Sequence, residues 1–515
     1  MKCAYLLLSF EKYFLIMKIK ITFLVLFTSL ILTAQTSKLL RYDSNGKLTY
    51  VADAKGNKIP DFSYVGYHHS EKEIPNVPVK IKIKPVDGDN LNHIQNAIEQ
   101  LEALQPDANG FRGALLLEAG NYEINGTLKI QKSGIVLRGE GRSTKLIATK
   151  NIKSNFIEFN GSSNPRKINS SKQKIIDSYV PVGTRIIEVE DGSAFLHGDN
   201  IMIERKPNRS WIKLLGMDNL NQSDPDDRDW LPEYYTVTYR RKVMNVDGNY
   251  VTIDAPIVDL IDPKYAEANV YNYSWAGKIQ EVGIENIRLD SYFSSDADEN
   301  HAWNAITFNN VENAWARNVY ANYFTYSCIN IRRSSMKITV DACEMRNHKG
   351  LVKGGRMYSF NVVGEQNLIK NCITEGGRHD FVTASVVAGP NVFLRCKALN
   401  AQSVTGPHHR WSSGILFDNV KIYGDNLAVE NRRNSGSGHG WTATTCLFWN
   451  CTADKIIIQD PPGDHTNWAI GCTGKFTNKG CCGPKQPYGY IESKNIPVQP
   501  ISLFEYQLRD RLEKN

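Results

Sequence analysis

The chain has 515 residues, with 61 Lys and Arg against 54 Asp and Glu, a formal charge of +7 and 22% charged residues in no long blocks. This composition excludes a disordered chain, and the mild excess of base without a Lys/Arg stripe excludes a nucleic-acid binder. Four Lys and one Glu fall in residues 1–34, so the remainder carries +4, a weak bias toward an anionic partner.

Met17-Lys18-Ile19-Lys20 precedes a 14-residue apolar run ending at Ala34, followed by Gln35. A basic start, a short apolar core and a small-residue exit predict a signal peptide over about 17–34, with Met17 the better start. The run is short for a membrane span of about 20 residues. The expectation is a secreted or periplasmic protein, monomeric, with no membrane span after cleavage. Residues 35–88 are polar and loop-rich, and read as an N-terminal arm.

From residue 89 the pattern changes. Ile94, Ala97, Ile98 and Leu101 fall at helical spacing and predict one amphipathic helix. Short β-type runs follow (ALLLEAG, GTLKI, GIVLRGEG, KLIAT). A helix ahead of a ladder of short strands closes the open end of a solenoid. Ile94-Gln95-Asn96-Ala97-Ile98, Gly120-Asn121-Tyr122 and Leu137-Arg138-Gly139-Glu140-Gly141 resemble the opening of pectin-lyase-like right-handed β-helices. The resemblance implies an all-β, single-domain, right-handed parallel β-helix over 89–515, its coils running to about 495.

Residues 155–280 are less regular, and NRSWIKLLGMDNLNQSDPDDRDWLPEYYTVTYRR is a long excursion that reads equally as a wall beside a groove or as a surface flap. After residue 282 a repeat emerges. Aligning IENIRLD, ARNVYAN, VDACEMR, IKNCITE, FLRCKAL, FDNVKIY, FWNCTAD and AIGCTGK makes Ile287, Val319, Cys343, Cys372, Cys396, Val420, Cys451 and Cys472 equivalent, at steps of 32, 24, 29, 24, 24, 31 and 21 residues. Such periods signal a solenoid. The column predicts inward-facing cysteines acting as small hydrophobes, with Cys481-Cys482 outside it and free to pair with a neighbour. The tail SLFEYQLRDRLEKN predicts a short helix that closes the far end.

Counting back from the column places Arg356, His379 and Arg433 in one line on consecutive coils, and Arg333, His409, Arg410 and Trp441 in a neighbouring line with His439 beside it. Arg is a planar fork for a carboxylate or sulfate, and His can act as base or acid near neutrality. These types suit β-elimination on a uronate, which needs a carboxylate clamp, a base for the C5 proton and an acid for the leaving oxygen. The expected catalytic residues are His379, His409, Arg410, Arg433 and His439. The expected substrate-binding residues are Arg333, Lys353, Arg356, Arg378, His408, Trp411, Arg432 and Trp441; the two tryptophans could stack on sugar faces or equally belong to the core. The working hypothesis gives the proton transfers to His409 and His439, and the acidic groups of the sugar to Arg410, Arg433 and Arg378.

GGRHDFV, GPHHRWSSG and NSGSGHGW resemble secreted bacterial lyase-like β-helix proteins of algal polysaccharide degradation, ulvan lyases among them. That resemblance implies cleavage of a sulfated, uronate-containing polysaccharide. Gly438-His439-Gly440 also resembles the GHG element of polygalacturonases, the hydrolytic alternative, which needs paired carboxylates; Asp226-Asp227 is the adjacent pair at hand. A non-catalytic adhesin would show aromatic platforms without clustered His. No cofactor is expected. Calcium, used by similar lyases to neutralise a uronate, is left open because no compact acidic triad stands on the ladder.

Overall fold

The protein is described here by a computed structural model covering residues 35–220 and 229–513. The signal-peptide segment and Asp226-Asp227 lie outside the described residues. The chain divides into Met1–Thr36 and Ser37–Asn515, and the elements below belong to the second unit.

The short strands stack into three parallel ladders. The first runs from Val79–Ile83 to Tyr490–Glu492. The second runs from Gly120–Ile124 to Thr473–Thr477. The third runs from Leu128–Ile130 to Gly406–Pro407. Because Val79–Ile83 already pairs with Gly113–Leu117, the coils begin inside the stretch that composition assigns to the arm. The helix Leu91–Ala103 buries Ile94, Ala97, Ile98 and Leu101 in the same core as the first strands.

The repeat alignment is in register. Ile287 pairs with Val319, and each later column residue directly precedes a second-ladder residue that pairs with its counterpart one coil on: Glu344, Ile373, Lys397, Lys421, Thr452 and Thr473. The column is buried, and its thiols donate to carbonyls of the preceding coil, as from Cys396 to Ile369 O at 3.4 Å and from Cys451 to Phe417 O at 3.2 Å. The residue before each is the corner, with φ from 49° to 70°: Asn286, Asn318, Ala342, Asn371, Arg395, Asn419, Asn450 and Gly471. Asn and Gly tolerate this left-handed geometry best, and Asn318 Nδ2 donates to Asn286 Oδ1 on the coil before, at 2.9 Å. Cys481 and Cys482 are bonded to each other.

Between the coils, residues 161–278 form an antiparallel sheet centred on Asn200–Pro207, Val237–Asp247 and Ala266–Ser274. It has a core of its own, including Trp211, Trp230 and Tyr239, which also takes in Ala388, Trp411 and Trp441 from the coil loops. Buried Glu365 of the coils ties it down, with Arg240 Nε at 2.6 Å and Arg241 Nη1 at 3.0 Å. The described part of the excursion is therefore a packed wall and not a flap.

The C-terminal helix, Leu503–Leu512, does not close the far end. Leu503 and Phe504 pack on the outer side of the first ladder, with Leu394, Leu416, Leu447 and Ile470, together with Leu40 and Phe62 of the arm. The reason is that this ladder is apolar on both faces from Leu368 to Ile470, and its outer face must also be covered. Among the described residues no helix is long and apolar enough to cross a membrane.

Candidate active site

The third-ladder side of the coils and the wall together line a cleft that includes Arg333 and Val386, and a cluster of imidazoles lies beside it. His379, on the loop into Phe381–Thr383, meets His408, from the loop after Gly406–Pro407, with ring centroids 4.4 Å apart. His408 lies 5.1 Å from both His409 and His439, and those two are 5.0 Å apart. The backbone explains the convergence: Val386 N donates to Arg410 O, Arg410 N to His439 O, and Trp411 N to Trp441 O, so three coil loops lie side by side. Val386, Arg410, Trp411 and Arg433 all have φ between 47° and 64°, the left-handed geometry that also turns the corners of the coils.

A tyrosine that sequence reasoning missed completes the cluster. Tyr358 Oη is 3.0 Å from His408 Nε2, and its ring is 4.9 Å from that of His379. Arg432 Nη1 donates to His408 Nδ1 at 2.8 Å. A guanidinium has no acceptor, so Nδ1 of His408 is the lone-pair nitrogen and Nε2–H donates to the phenol oxygen. His379 Nδ1 donates to Val404 O at 2.5 Å, which leaves the lone pair on Nε2. That atom is buried and has no hydrogen-bond partner, as are Nδ1 of His409, Nδ1 of His439, Nη1 of Arg378 and Nε of Arg432. Five such atoms in one cluster are exceptional, because buried polar groups are almost always paired.

The electrostatics agree with the composition of the cluster. Burial, opposed by the bond to Val404 O and reinforced by Arg378 and Arg432, holds His379 down at about 3. Burial, then His439 and Arg410, holds His409 at about 3, and burial, then Arg432 and Arg410, holds His439 at about 4. His408 is lowered by burial, then by His379 and Arg432. All four imidazoles are neutral at neutral pH. Burial raises Tyr358, with Arg378 and Arg432 pulling the other way, so the phenol keeps its proton.

The remaining expected residues divide. Arg410 is held by Ser437 Oγ at 3.0 Å and by the carbonyls of Ser437 and Gly438. Arg333 reaches along the cleft to the carbonyls of Ser385 and Val386, at 2.7 and 2.6 Å. Arg356 is not in the cluster: it forms a two-pronged pair with Glu299 at 2.6 and 2.8 Å and lies over Trp303. Lys353 is exposed on the same loop, beside Glu299. Trp411 and Trp441, 0% and 1% exposed, are no sugar platforms. Their indole N–H groups donate to Asp259 Oδ2 at 2.8 Å and Leu215 O at 3.0 Å, inside the core of the wall. Their role is to anchor that wall.

Two carboxylates lie near the cluster. Glu430, 4.0 Å from Arg432, accepts from Cys481 N at 2.7 Å; Asp380 Oδ1 accepts from buried Ser359 at 2.8 Å, its Oδ2 has no partner, and burial raises the carboxyl to about 6. Among the described residues no three of His, Cys, Asp and Glu are grouped to hold a metal ion. A cluster of imidazoles and guanidiniums does not fit calcium, which takes oxygen ligands.

No family model and no curated protein matches the chain. Solved structures similar to it include the tailspike protein gp49 of Pseudomonas phage LKA1, at 13% identity over 78% of this chain and 73% of that one, TM-score 0.38. The surface adhesin PfbA of Streptococcus pneumoniae is 10% identical over 81% of this chain and 79% of that one, TM-score 0.36. The catalytic domain of a GH87 α-1,3-glucanase, in complex with tetrasaccharides, is 9% identical over 83% of this chain and 66% of that one, TM-score 0.38.

Proposed function

We propose that the protein is a secreted polysaccharide lyase, a right-handed parallel β-helix whose first helix caps it, that cleaves a sulfated, uronate-containing polysaccharide of the ulvan type by β-elimination. The observation that carries this reading is the pairing of a fixed lone pair, His379 Nε2, with a phenol held by His408, inside a cluster that includes Arg378, Arg410 and Arg432. Arg378, with a free buried Nη1, and Arg433 neutralise the uronate carboxylate and so acidify its C5–H. His379 Nε2 takes that proton. The electron pair of the C5–H bond becomes the C4–C5 double bond as the C4–O bond breaks. Tyr358 gives its proton to the departing oxygen, and His408 with Arg432 stabilises the phenolate. This moves the proton transfers from His409 and His439, which flank the reacting atoms, to His379 and Tyr358.

Hydrolysis would require two carboxylates about 5–10 Å apart across the scissile bond. Glu430 accepts from Cys481 N and Asp380 Oδ1 from Ser359, with Asp380 Oδ2 unpartnered; the centre of the cluster is filled instead by four imidazoles and a phenol. The test is incubation with ulvan, pectate, alginate and glycosaminoglycans, followed by the ultraviolet absorbance of unsaturated uronate. Absorbance rising with a uronate polymer supports elimination. New reducing ends without absorbance would favour the hydrolase.

A further inference from the structure

The inserted wall lines two cavities. On Val237–Asp247 the side chains of Thr238 and Arg240 line one cavity of about 510 Å³, which also includes Arg333 and Val386 beside the histidines. Lys242 and Met244, next on the same face of that strand, line another of about 670 Å³. The neighbouring strand repeats the pattern, with Met202 and Glu204 in the first cavity and Asn200 in the second. Alternate residues share a face, so Thr238 and Lys242 are about 14 Å apart along one continuous floor. The coils match it: Ser334 lines the first cavity and Lys337 the second.

The second cavity is cation-rich. Lys72, Arg185, Lys242, Lys278, Lys337 and Arg511 line it, against Glu71, Asp254 and Glu312. Its fourth side is the arm, where His68, His69 and Ser70 have φ of 45°, 55° and 59° in succession. Three non-glycine residues in the left-handed region persist only where their surroundings hold them. Here Tyr67 N donates to Thr339 Oγ1 at 2.8 Å, and His68 Nε2 meets Glu281 at 2.8 Å. The strained turn brings His69 to the cavity, its Nε2 buried and without a hydrogen-bond partner, 3.9 Å from Asp254. Lys72 and Lys242 are exposed at the rim.

We propose that this cavity is an accessory subsite that holds a carboxylate or sulfate of the polysaccharide, and that the chain reaches it from the histidine cluster along the face of the inserted sheet. The proposal rests on the reading of the cluster as a polysaccharide site. It is tested with Lys72→Glu/Lys242→Glu, two surface changes outside the catalytic cluster. Binding of a sulfated uronate polymer is measured directly, and kcat and KM are measured on the polymer and on its tetrasaccharide. The expected result is polymer affinity at least about tenfold weaker, KM raised for the polymer alone and kcat unchanged. Polymer affinity equal to that of the unsubstituted protein would overturn the subsite, as would an equal loss on polymer and tetrasaccharide. Inorganic sulfate, as competitor, should displace the polymer from the unsubstituted protein more readily than from the variant; equal displacement would also count against it. Weakened binding in a protein that cleaves nothing would leave the subsite standing and remove only the lyase reading.

Discussion

The phenol oxygen of Tyr358 accepts a hydrogen bond from His408 Nε2 at 3.0 Å, and Arg432 fixes the opposite nitrogen of the same ring at 2.8 Å. The phenol proton is thereby left to point away from His408, and the ring of His379, whose buried Nε2 has no hydrogen-bond partner, lies 4.9 Å from the phenol ring. In the proposed reaction the phenol gives a proton and the imidazole takes one.

Tyr358→Phe and His379→Ala should each lower kcat by a factor of about 10²–10⁴, the usual cost of losing a general acid or base. Polymer affinity and the melting temperature of Tyr358→Phe should stay close to those of the unsubstituted protein. Steady-state kinetics with a direct binding measurement separates this from a structural role. Full turnover in Tyr358→Phe would return the acid role to His409 or His439.

The acid limb of the kcat/KM profile should lie far below the ordinary histidine value of about 6.5. His379 is held at about 3 and His439 at about 4. A base whose folded value is lowered stays deprotonated as pH falls through 6.5, so activity should persist to about pH 4 and fail near 3, where His379 gains its proton. The stability gained from these neutral histidines is fully present above about 6.5 and is lost as pH falls toward 3–4. Asp418 and Asp460, raised to about 7 by burial, act in the opposite sense, losing their stabilising effect as pH rises through 7. Circular dichroism at each pH distinguishes titration from unfolding. An inflection at 6.5 in folded protein would exclude His379 as the base.

Cys372→Ala should cost about 1 kcal/mol, the scale of a buried methyl group. Cys372→Asp should cost several kcal/mol, because the column offers no partner for a buried charge. Chemical denaturation of the two variants measures the difference, and equal mild effects would contradict the inward column.

Glu365→Ala should destabilise by about 3–5 kcal/mol, since it strands the buried guanidiniums of Arg240 and Arg241. The wall is fixed through this contact, so KM for polymer should rise even where the variant remains folded. Thermal melting and kinetics check both parts.

The coil was legible because its signal is local. Each column residue is small and apolar, and five of the eight corners carry the Asn that a left-handed turn favours, as at Asn371 before Cys372. Tyr358 was not legible from that column, because counting back from Cys372 crosses loops of unequal length. Its register is set by the third ladder, where Phe360 pairs with Phe381 and so makes Tyr358 the counterpart of His379. Arg356 fell on the expected line for the same reason, yet its partner Glu299 lies 57 residues earlier. Trp411 and Trp441 read equally as sugar platforms or as core because the sheet that buries them lies more than a hundred residues away in sequence, and local periodicity carries no trace of that docking.

The central claim is that the cluster removes the C5 proton of a uronate and expels the C4 oxygen. Proton NMR of the oligosaccharides released by the unsubstituted protein, compared with those from Tyr358→Phe, tests it most directly. The account predicts a vinylic H4 and no H5 at each new non-reducing end, with the rate of their appearance collapsing in the variant. A saturated new end, with H5 retained and a hydroxyl oxygen from solvent on one side of the cut, would contradict it.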